Sequence, residues 1–171
     1  LTSLDFSGLT NIGGLGIQID LNPNLTTIVF PPTFSGDLNV ANNASLAIVD
    51  ISNLTDLNYV SFRGSALTTV LLPNITLSTG QIRIANSTNV TTINFTSVPL
   101  VINSNDVTLE LRDNSFGTPQ VDSFLADIDT TSNGTSTGRT LYIIPGNSTP
   151  SGGLTNANYL SLLTKGWTIP L

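Results

Sequence analysis

Apolar residues recur along the chain in a fixed phrase. It reads Asn24-Leu-Thr-Thr-Ile-Val-Phe30, then Ala66-Leu-Thr-Thr-Val-Leu-Leu72, then Asn89-Val-Thr-Thr-Ile-Asn-Phe95, with a looser copy from Ser45 to Ile51. The leading positions Leu25, Leu46, Leu67 and Val90 stand 21, 21 and 23 residues apart. Steps of that size mark a solenoid, in which one structural unit stacks on the next. Within each copy the last two apolar positions are two apart, as in Ile28/Phe30, Val49/Ile51, Val70/Leu72 and Ile93/Phe95. That is strand spacing, and the β-branched and aromatic residues support it. Leu1, Leu4 and Phe6 fit the same frame.

A second alternating segment lies between the copies: Ile17–Leu21, Leu38–Val40, Tyr59–Phe62, Ile82–Ile84 and Val107–Leu111. Two short strands per coil, with no helix between them, predict a mainly-β solenoid of about four to five coils. Asn, Asp and Gly follow the strands at Asn22, Asn24, Asn42, Asn43, Gly64, Asn86, Asn89, Asp113 and Asn114. These residues tolerate a left-handed corner, and an Asn side chain bonds nearby backbone groups. Stacked coils would align them in a polar ladder. Pro31-Pro32 and Pro73 follow strands, where a proline ends pairing. The outward positions Thr27, Val29, Ile48, Asp50, Thr69, Leu71, Thr92 and Asn94, with Tyr59, form the candidate binding face.

The pattern changes after Asn114. Thr118-Pro119 reads as a helix start with Thr118 as N-cap, and Val121, Phe124, Leu125 and Ile128 line one helix face. A loop over Thr130–Gly138, a strand over Arg139–Ile144, a helix over Asn156–Lys165 closed by Gly166, and a last strand Trp167–Ile169 follow. Residues 1–115 are thus read as the repeat, and 116–171 as a small α/β cap of the same domain. A cap covers apolar surface and strand edges that an open solenoid end exposes. No matching cap precedes Leu1, so that end is expected to be covered by upstream chain or by another subunit. The non-Met start likewise reads as a processed protein or a fragment.

Composition narrows the function. Charged residues make up 9% of the chain, against about 25% in an average soluble domain. Asn, Ser, Thr and Gly carry the polarity instead, as in extracellular β-rich proteins. The net charge is −6 and the five cations, Arg63, Arg83, Arg112, Arg139 and Lys165, are scattered along the chain. That argues against nucleic acid and anionic membranes as partners. No apolar run is long enough to insert in a bilayer.

The chain has no His and no Cys, so a Ser-His-Asp or Cys-His centre is impossible. Carboxylate pairs for glycoside hydrolysis exist among Asp50, Glu110, Asp113, Asp122, Asp127 and Asp129, but the repeat singles out none. Asp127-Ile-Asp129 lacks the rest of a calcium loop and reads as a helix end. No catalytic residue, metal or cofactor is assigned. Sequons at Asn24, Asn43, Asn53, Asn74, Asn86, Asn89, Asn94, Asn133 and Asn147 follow from the abundance of Asn and Thr. Thr26, Thr68 and Thr91 fall before the outward positions, and the outward row mixes residue types, which makes a poor ice lattice. Trp167 reads as core of the cap.

Several stretches resemble leucine-rich-repeat proteins of Bacteroidetes bacteria and their phages. They are LDFSGLTNIGG (Leu4–Gly14), NPNLTTI (Asn22–Ile28), and the ending PQVDSFLADI, GRTLYIIPGNSTPSGG and YLSLLTKGWTI. The proline-containing units are similar to the BspA-like subgroup. The resemblance implies a non-catalytic protein on a cell surface, in a secretion or in a virion. It supplies no binding residues, and the 17-residue step from Val90 to Val107 departs from the family's regularity. The expected function is a structural or binding module on an outside surface, acting in assembly or adhesion. Its partner would be a virion or envelope protein, a second copy at the N-terminal edge, or a surface glycan. The other readings are a carbohydrate-active secreted protein and an ice-binding solenoid.

Overall fold

In the computed structural model the strands of successive coils stack in parallel on two sides of one core. The structure describes residues 1–9, 16–31, 34, 36–54, 58–72, 76–77, 80–94, 101–102, 106–132, 135 and 137–171. The strands of the repeat are Ser3–Asp5 (β1), Ile17–Asp20 (β2), Thr27–Val29 (β3), Asp37–Ala41 (β4), Ile48–Asp50 (β5), Tyr59–Arg63 (β6), Thr69–Leu71 (β7), Thr76–Leu77 (β8), Gly80–Ala85 (β9), Thr92–Ile93 (β10), Val101–Ile102 (β11) and Val107–Glu110 (β12). Helix α1 (Thr118–Thr131), β13 (Arg139–Tyr142), a 3-10 turn (Gly153–Thr155), α2 (Ala157–Thr164) and β14 (Trp167–Thr168) complete the chain. The fold is the mainly-β parallel solenoid that the repeat predicts, with about three turns rather than the expected four to five, and with two C-terminal helices.

One side is a seven-stranded parallel sheet in the order β2-β4-β6-β9-β12-β13-β14. The other side is discontinuous, with the pair β1-β3 and a three-stranded sheet β5-β7-β10, and a separate pair β8-β11 lies on the arc that leads from it back to the large sheet. The turns through β5–β6, β7–β9 and β10–β12 therefore carry ladder-bonded strands on both sides. Among the described residues β3 and β5 are neighbours without a ladder between them, although Ser45 Oγ donates to the Pro23 carbonyl at 2.6 Å.

The inward rows of the large sheet are Ile17–Leu38–Val60–Ile82–Leu109–Leu141 and Ile19–Val40–Phe62–Ile84. All are buried, as are Leu25, Leu46, Leu67 and Val90 from the repeated phrase. Each such side chain contributes about 1.5–3 kcal/mol when fully removed from water. No single coil could bury both of its apolar faces, so each depends on the next. Ile28 and Phe30 are only partly covered and pack against this core. Phe95 lies outside the described residues.

The C-terminal unit extends the large sheet, with β13 added to β12 and β14 to β13. Helices α1 and α2 pack on each other in this unit. Val121, Phe124, Leu125 and Ile128 are buried, as their spacing predicts. The N-cap of α1 is Gly117, one residue before the expected Thr118. Gln120 explains the shift, because its Oε1 accepts from the Gly117 N–H at 2.9 Å and the Thr118 hydroxyl instead donates to the Thr149 carbonyl. The helix runs on through Thr131, into the segment expected as loop, and β13 stops at Tyr142. Asn156 caps α2 by accepting from Asn158 N and Tyr159 N, and Trp167 is buried.

The corners repeat with little variation. Where the chain leaves the large sheet, the corner residue has positive φ: Leu21 (59°), Asn42 (56°), Gly64 (59°), Asn86 (55°), Asp113 (58°) and Gly146 (73°). Each is followed by Asn or Ser: Asn22, Asn43, Ser65, Ser87, Asn114 and Asn147. Asn43 Oδ1 accepts from Asn22 N at 3.1 Å, while its Nδ2 donates to the Ile19 and Ala41 carbonyls at 3.0 Å. Asn114 treats Ser87 N and the Ile84 and Leu111 carbonyls likewise, and Asn147 treats Asn114 N and the Leu111 and Ile143 carbonyls. Ser65 Oγ accepts from Asn43 N at 3.3 Å. A smaller hydroxyl ladder joins the other corner, from Thr26 to the Thr2 carbonyl, Thr68 to Ala47 and Thr91 to Thr68.

Leu21 is the one hydrophobic residue among these positive-φ corners and is 74% exposed. A side chain larger than Gly or Asn costs about 1–2 kcal/mol in this conformation. Leu21→Asn should therefore raise the unfolding free energy by about 1 kcal/mol, read from urea melts; an unchanged midpoint would refute the strain. Asn43→Ala should lower it by about 3 kcal/mol, because it strands buried backbone groups of two coils. Exposed Asn24→Ala is the control and should change it by less than about 0.5 kcal/mol.

Candidate binding face

Outward side chains of the large sheet fall into register across the coils. One row is Gln18–Asn39–Ser61–Arg83–Glu110–Tyr142. Beside it runs Asp37–Tyr59–Gln81–Thr108–Thr140–Thr168. Parallel pairing fixes the step between neighbours at about 4.8 Å. The strands hold these residues on a rigid surface because their alternate positions are anchored in the core.

Glu110 is the centre of charge on this face. It is 5% exposed and accepts from Gln81 Nε2 at 3.1 Å. Arg83 Nη2 pairs with it at 3.1 Å and Arg112 Nε at 2.5 Å. The hydrogen bond and charge of Glu110 push the Arg112 guanidinium pKa up. A cavity of about 400 Å³ opens here, lined by Gln81, Thr108, Glu110, Arg112 and Tyr142. A second, of about 270 Å³, lies towards the first coils between Gln18, Asp37, Asn39 and Tyr59.

Several polar atoms of this face have no hydrogen-bond partner among the described residues. The buried atoms Asp20 Oδ1, Asn39 Oδ1, Ser61 Oγ, Arg63 Nε and Arg83 Nε make no hydrogen bond to a described protein group. All belong to outward positions of β2, β4, β6 and β9. Ser61 is fully buried, on the floor between the longer side chains of Asn39 and Arg83. Unsatisfied buried groups cost about 1–3 kcal/mol each, so a cluster on one face calls for a reason.

The distribution of cations points to the same place. Of the five basic side chains, Arg63, Arg83 and Arg112 belong to this face. Arg139 is buried at 6.0 Å from the Trp167 ring, where desolvation lowers its pKa, and Lys165 pairs with Asp129 at 2.8 Å.

The residues chosen from sequence occupy three places. Ile48, Asp50, Thr69, Leu71 and Thr92 lie on the three-stranded sheet, with Asn94 just beyond β10. Thr27 and Val29 lie on β3, which pairs with β1 instead, and a cavity of about 190 Å³ opens between the ends of β3 and β5. Tyr59 stands on the large sheet, away from the rest. Asn94 has a structural task, since its Oδ1 accepts from the Leu72 N–H at 2.5 Å. Sequence reasoning left Gln18, Asn39, Ser61, Arg83 and Tyr142 out of the candidate face and weighed Glu110 only among the carboxylates. Their signal was the middle letters of the second alternating segments, which come into register only when those segments are aligned with one another.

Asp50 and Glu110 stand on different sheets. Asp129 joins α1 to α2 through Lys165 and Ser161, and among the described residues no cluster of three acidic side chains could hold a metal ion. Also among them, no helix is long and apolar enough to cross a membrane. Asn43 and Asn147 are engaged as corner rungs, so a sequon there serves the fold. Comparison of the chain with protein-family models, characterised proteins and solved structures returns no match.

Burial raises the carboxyl pKa of half-buried Asp127. The folded state thus holds this proton more tightly than the unfolded chain, and stability falls as pH rises through the carboxylate range. Asp127→Asn should raise the melting temperature at pH 7, with the gain shrinking to nothing at pH 3. An equal gain at both values would assign the effect to packing instead.

Proposed function

We propose that this protein is a non-enzymatic binding module displayed on an outer surface, a phage virion or a bacterial envelope, where it serves adhesion or assembly. The contact is the outward face of the large sheet. One observation carries the reading: polar side chains of successive coils stand in register on a rigid outward face, with Tyr59, Gln81, Thr108 and Tyr142 half-buried and open to a partner. Core-anchored strands preorganise such a row, which lowers the entropy lost on binding. The charge-poor, Asn- and Thr-rich composition supports an extracellular setting. The sequence resemblance to leucine-rich-repeat proteins of Bacteroidetes and their phages supports display on a virion or cell. The separation of Asp50 from Glu110 supports a role without hydrolysis.

Labelled protein is expected to bind intact Bacteroidetes cells, or their envelope or virion fractions, in a saturable manner. Tyr59→Ala with Gln81→Ala should abolish that binding. Ile48→Ser with Leu71→Ser, on the other side, should leave it intact, with circular dichroism confirming that both variants fold. Loss only in the second variant would move the contact to the three-stranded sheet. Absence of binding to every fraction would overturn the reading.

A further inference from the structure

We infer that the outward face of the large sheet takes an extended, uncharged glycan, laid across the strands with its sugar rings against Tyr59 and Tyr142. The inference rests on the binding-face reading above and names its ligand class.

The charges of this face answer to one another. Glu110 is held by Arg83 at 3.1 Å and by Arg112, and Asp113 stands 3.9 Å from Arg112. Asp20 accepts from Gln18 Nε2. On this face the carboxylates Asp20, Asp37, Glu110 and Asp113 meet the guanidiniums Arg63, Arg83 and Arg112, so there is no positive excess to draw an anionic chain. The guanidiniums on β6 and β9 and beyond β12 oppose a cationic one. A charged ligand would also have to compete with ion pairs that the fold already makes. An uncharged ligand disturbs none of them.

The accessible side chains then select sugar over protein. Among the described residues the outward rows expose no aliphatic side chain; Val29, Ile48, Leu160 and Leu163 are exposed elsewhere. Protein partners draw most of their affinity from apolar and aromatic anchors at a dry centre. An extended peptide read through its backbone needs a sheet edge, not a sheet face. Here the half-buried groups are two phenol rings, an amide and two hydroxyls: Tyr59, Tyr142, Gln81, Thr108 and Thr140. A sugar ring offers the matching pair of features, an apolar face for an aromatic ring and hydroxyls that both donate and accept.

Geometry sets the length. Tyr59 lines a cavity of about 270 Å³ with Gln18, Asp37 and Asn39. Tyr142 lines one of about 400 Å³ with Gln81 and Thr108. Sites that enclose a compact small molecule run from about 300 to 1,000 Å³, so these two hollows suit single segments of a longer ligand. Tyr59 is on β6 and Tyr142 on β13, three strands further along the sheet. That is about 14 Å across the strands, and Gln81, Thr108 and Thr140 continue the row of Tyr59 over the interval. One ligand reaches both rings only if it stays extended. A β-1,4-linked chain does so as a flat ribbon, whereas an α-1,4-linked chain curls.

Isothermal titration of the folded chain tests this with β-1,4-linked hexamers of glucose and of mannose, their counterparts carrying a carboxylate or an amine at C6, and the α-1,4-linked glucose hexamer. At least one neutral β-linked hexamer should bind, with its charged counterparts and the α-linked chain at least about tenfold weaker. Tyr59→Ala and Tyr142→Ala should each weaken that binding about tenfold, and Tyr59→Phe should retain it. Thr108→Val should weaken it about fivefold. Val29→Ser, on the other side, should not, and equal melting temperatures would show that the variants fold. Equal or tighter binding of a charged counterpart would overturn the uncharged ligand, and equal binding of the α-linked chain would overturn the extended one. Unchanged binding in both Tyr→Ala variants would overturn the placement on this face. If cells or virion fractions are bound but neither neutral β-linked hexamer is, this inference fails while the binding-module reading stands. If nothing is bound, both fail.

Discussion

The solenoid depends on what happens at one corner of each coil. The chain must leave the large sheet, and it does so through a residue at positive φ. The turn would leave backbone N–H and C=O groups of two coils facing a dry interior. The next side chain meets them. An Asn at that point accepts from one coil and donates to carbonyls of its own coil and the one before, as Asn43, Asn114 and Asn147 do. The apolar rows then stack because the corners have already set the register. Hydrophobic burial supplies most of the stabilisation, but it has no direction; the rungs supply that.

Much of this was legible in the sequence. The repeated phrase gave the period, the two-residue spacing gave the strands, and the Asn and Gly clusters gave the corners. These features reach print because each coil must present the same groups to its neighbour. The helix face of α1 was legible for a similar reason, since four buried residues share one stripe. Leu21 was not readable as a corner, because local propensity argues against it and only alignment with Asn42, Gly64 and Asn86 reveals its place. The cap at Gly117 depends on a side chain three residues on, which changes which residue the helix starts from.

The candidate binding face was harder to see. The phrase that repeats best, with its Thr pairs, builds the interrupted side, and the hydroxyls of Thr26, Thr68 and Thr91 are spent on backbone carbonyls. The polar letters of the other strands vary from Gln18 to Asn39, Ser61, Arg83 and Glu110, so they carry no repeat signal of their own. Variation is expected where residues answer to something outside the fold. The cations also looked scattered in the linear chain, and only the coil's return brings Arg63, Arg83 and Arg112 to one surface.

The rung spacings have a consequence of a different kind. Neighbouring rungs are 21 residues apart between Asn22 and Asn43, 22 between Asn43 and Ser65, 27 between Ser87 and Asn114, and 33 between Asn114 and Asn147. The corner counts turns rather than residues. A coil can lengthen its far arc, even to the extent of replacing a strand with helix α1, while the large sheet receives its next strand in step. Insertions on the arc can therefore accumulate without disturbing the outward rows, so that the two sides of the molecule are free to diverge at different rates.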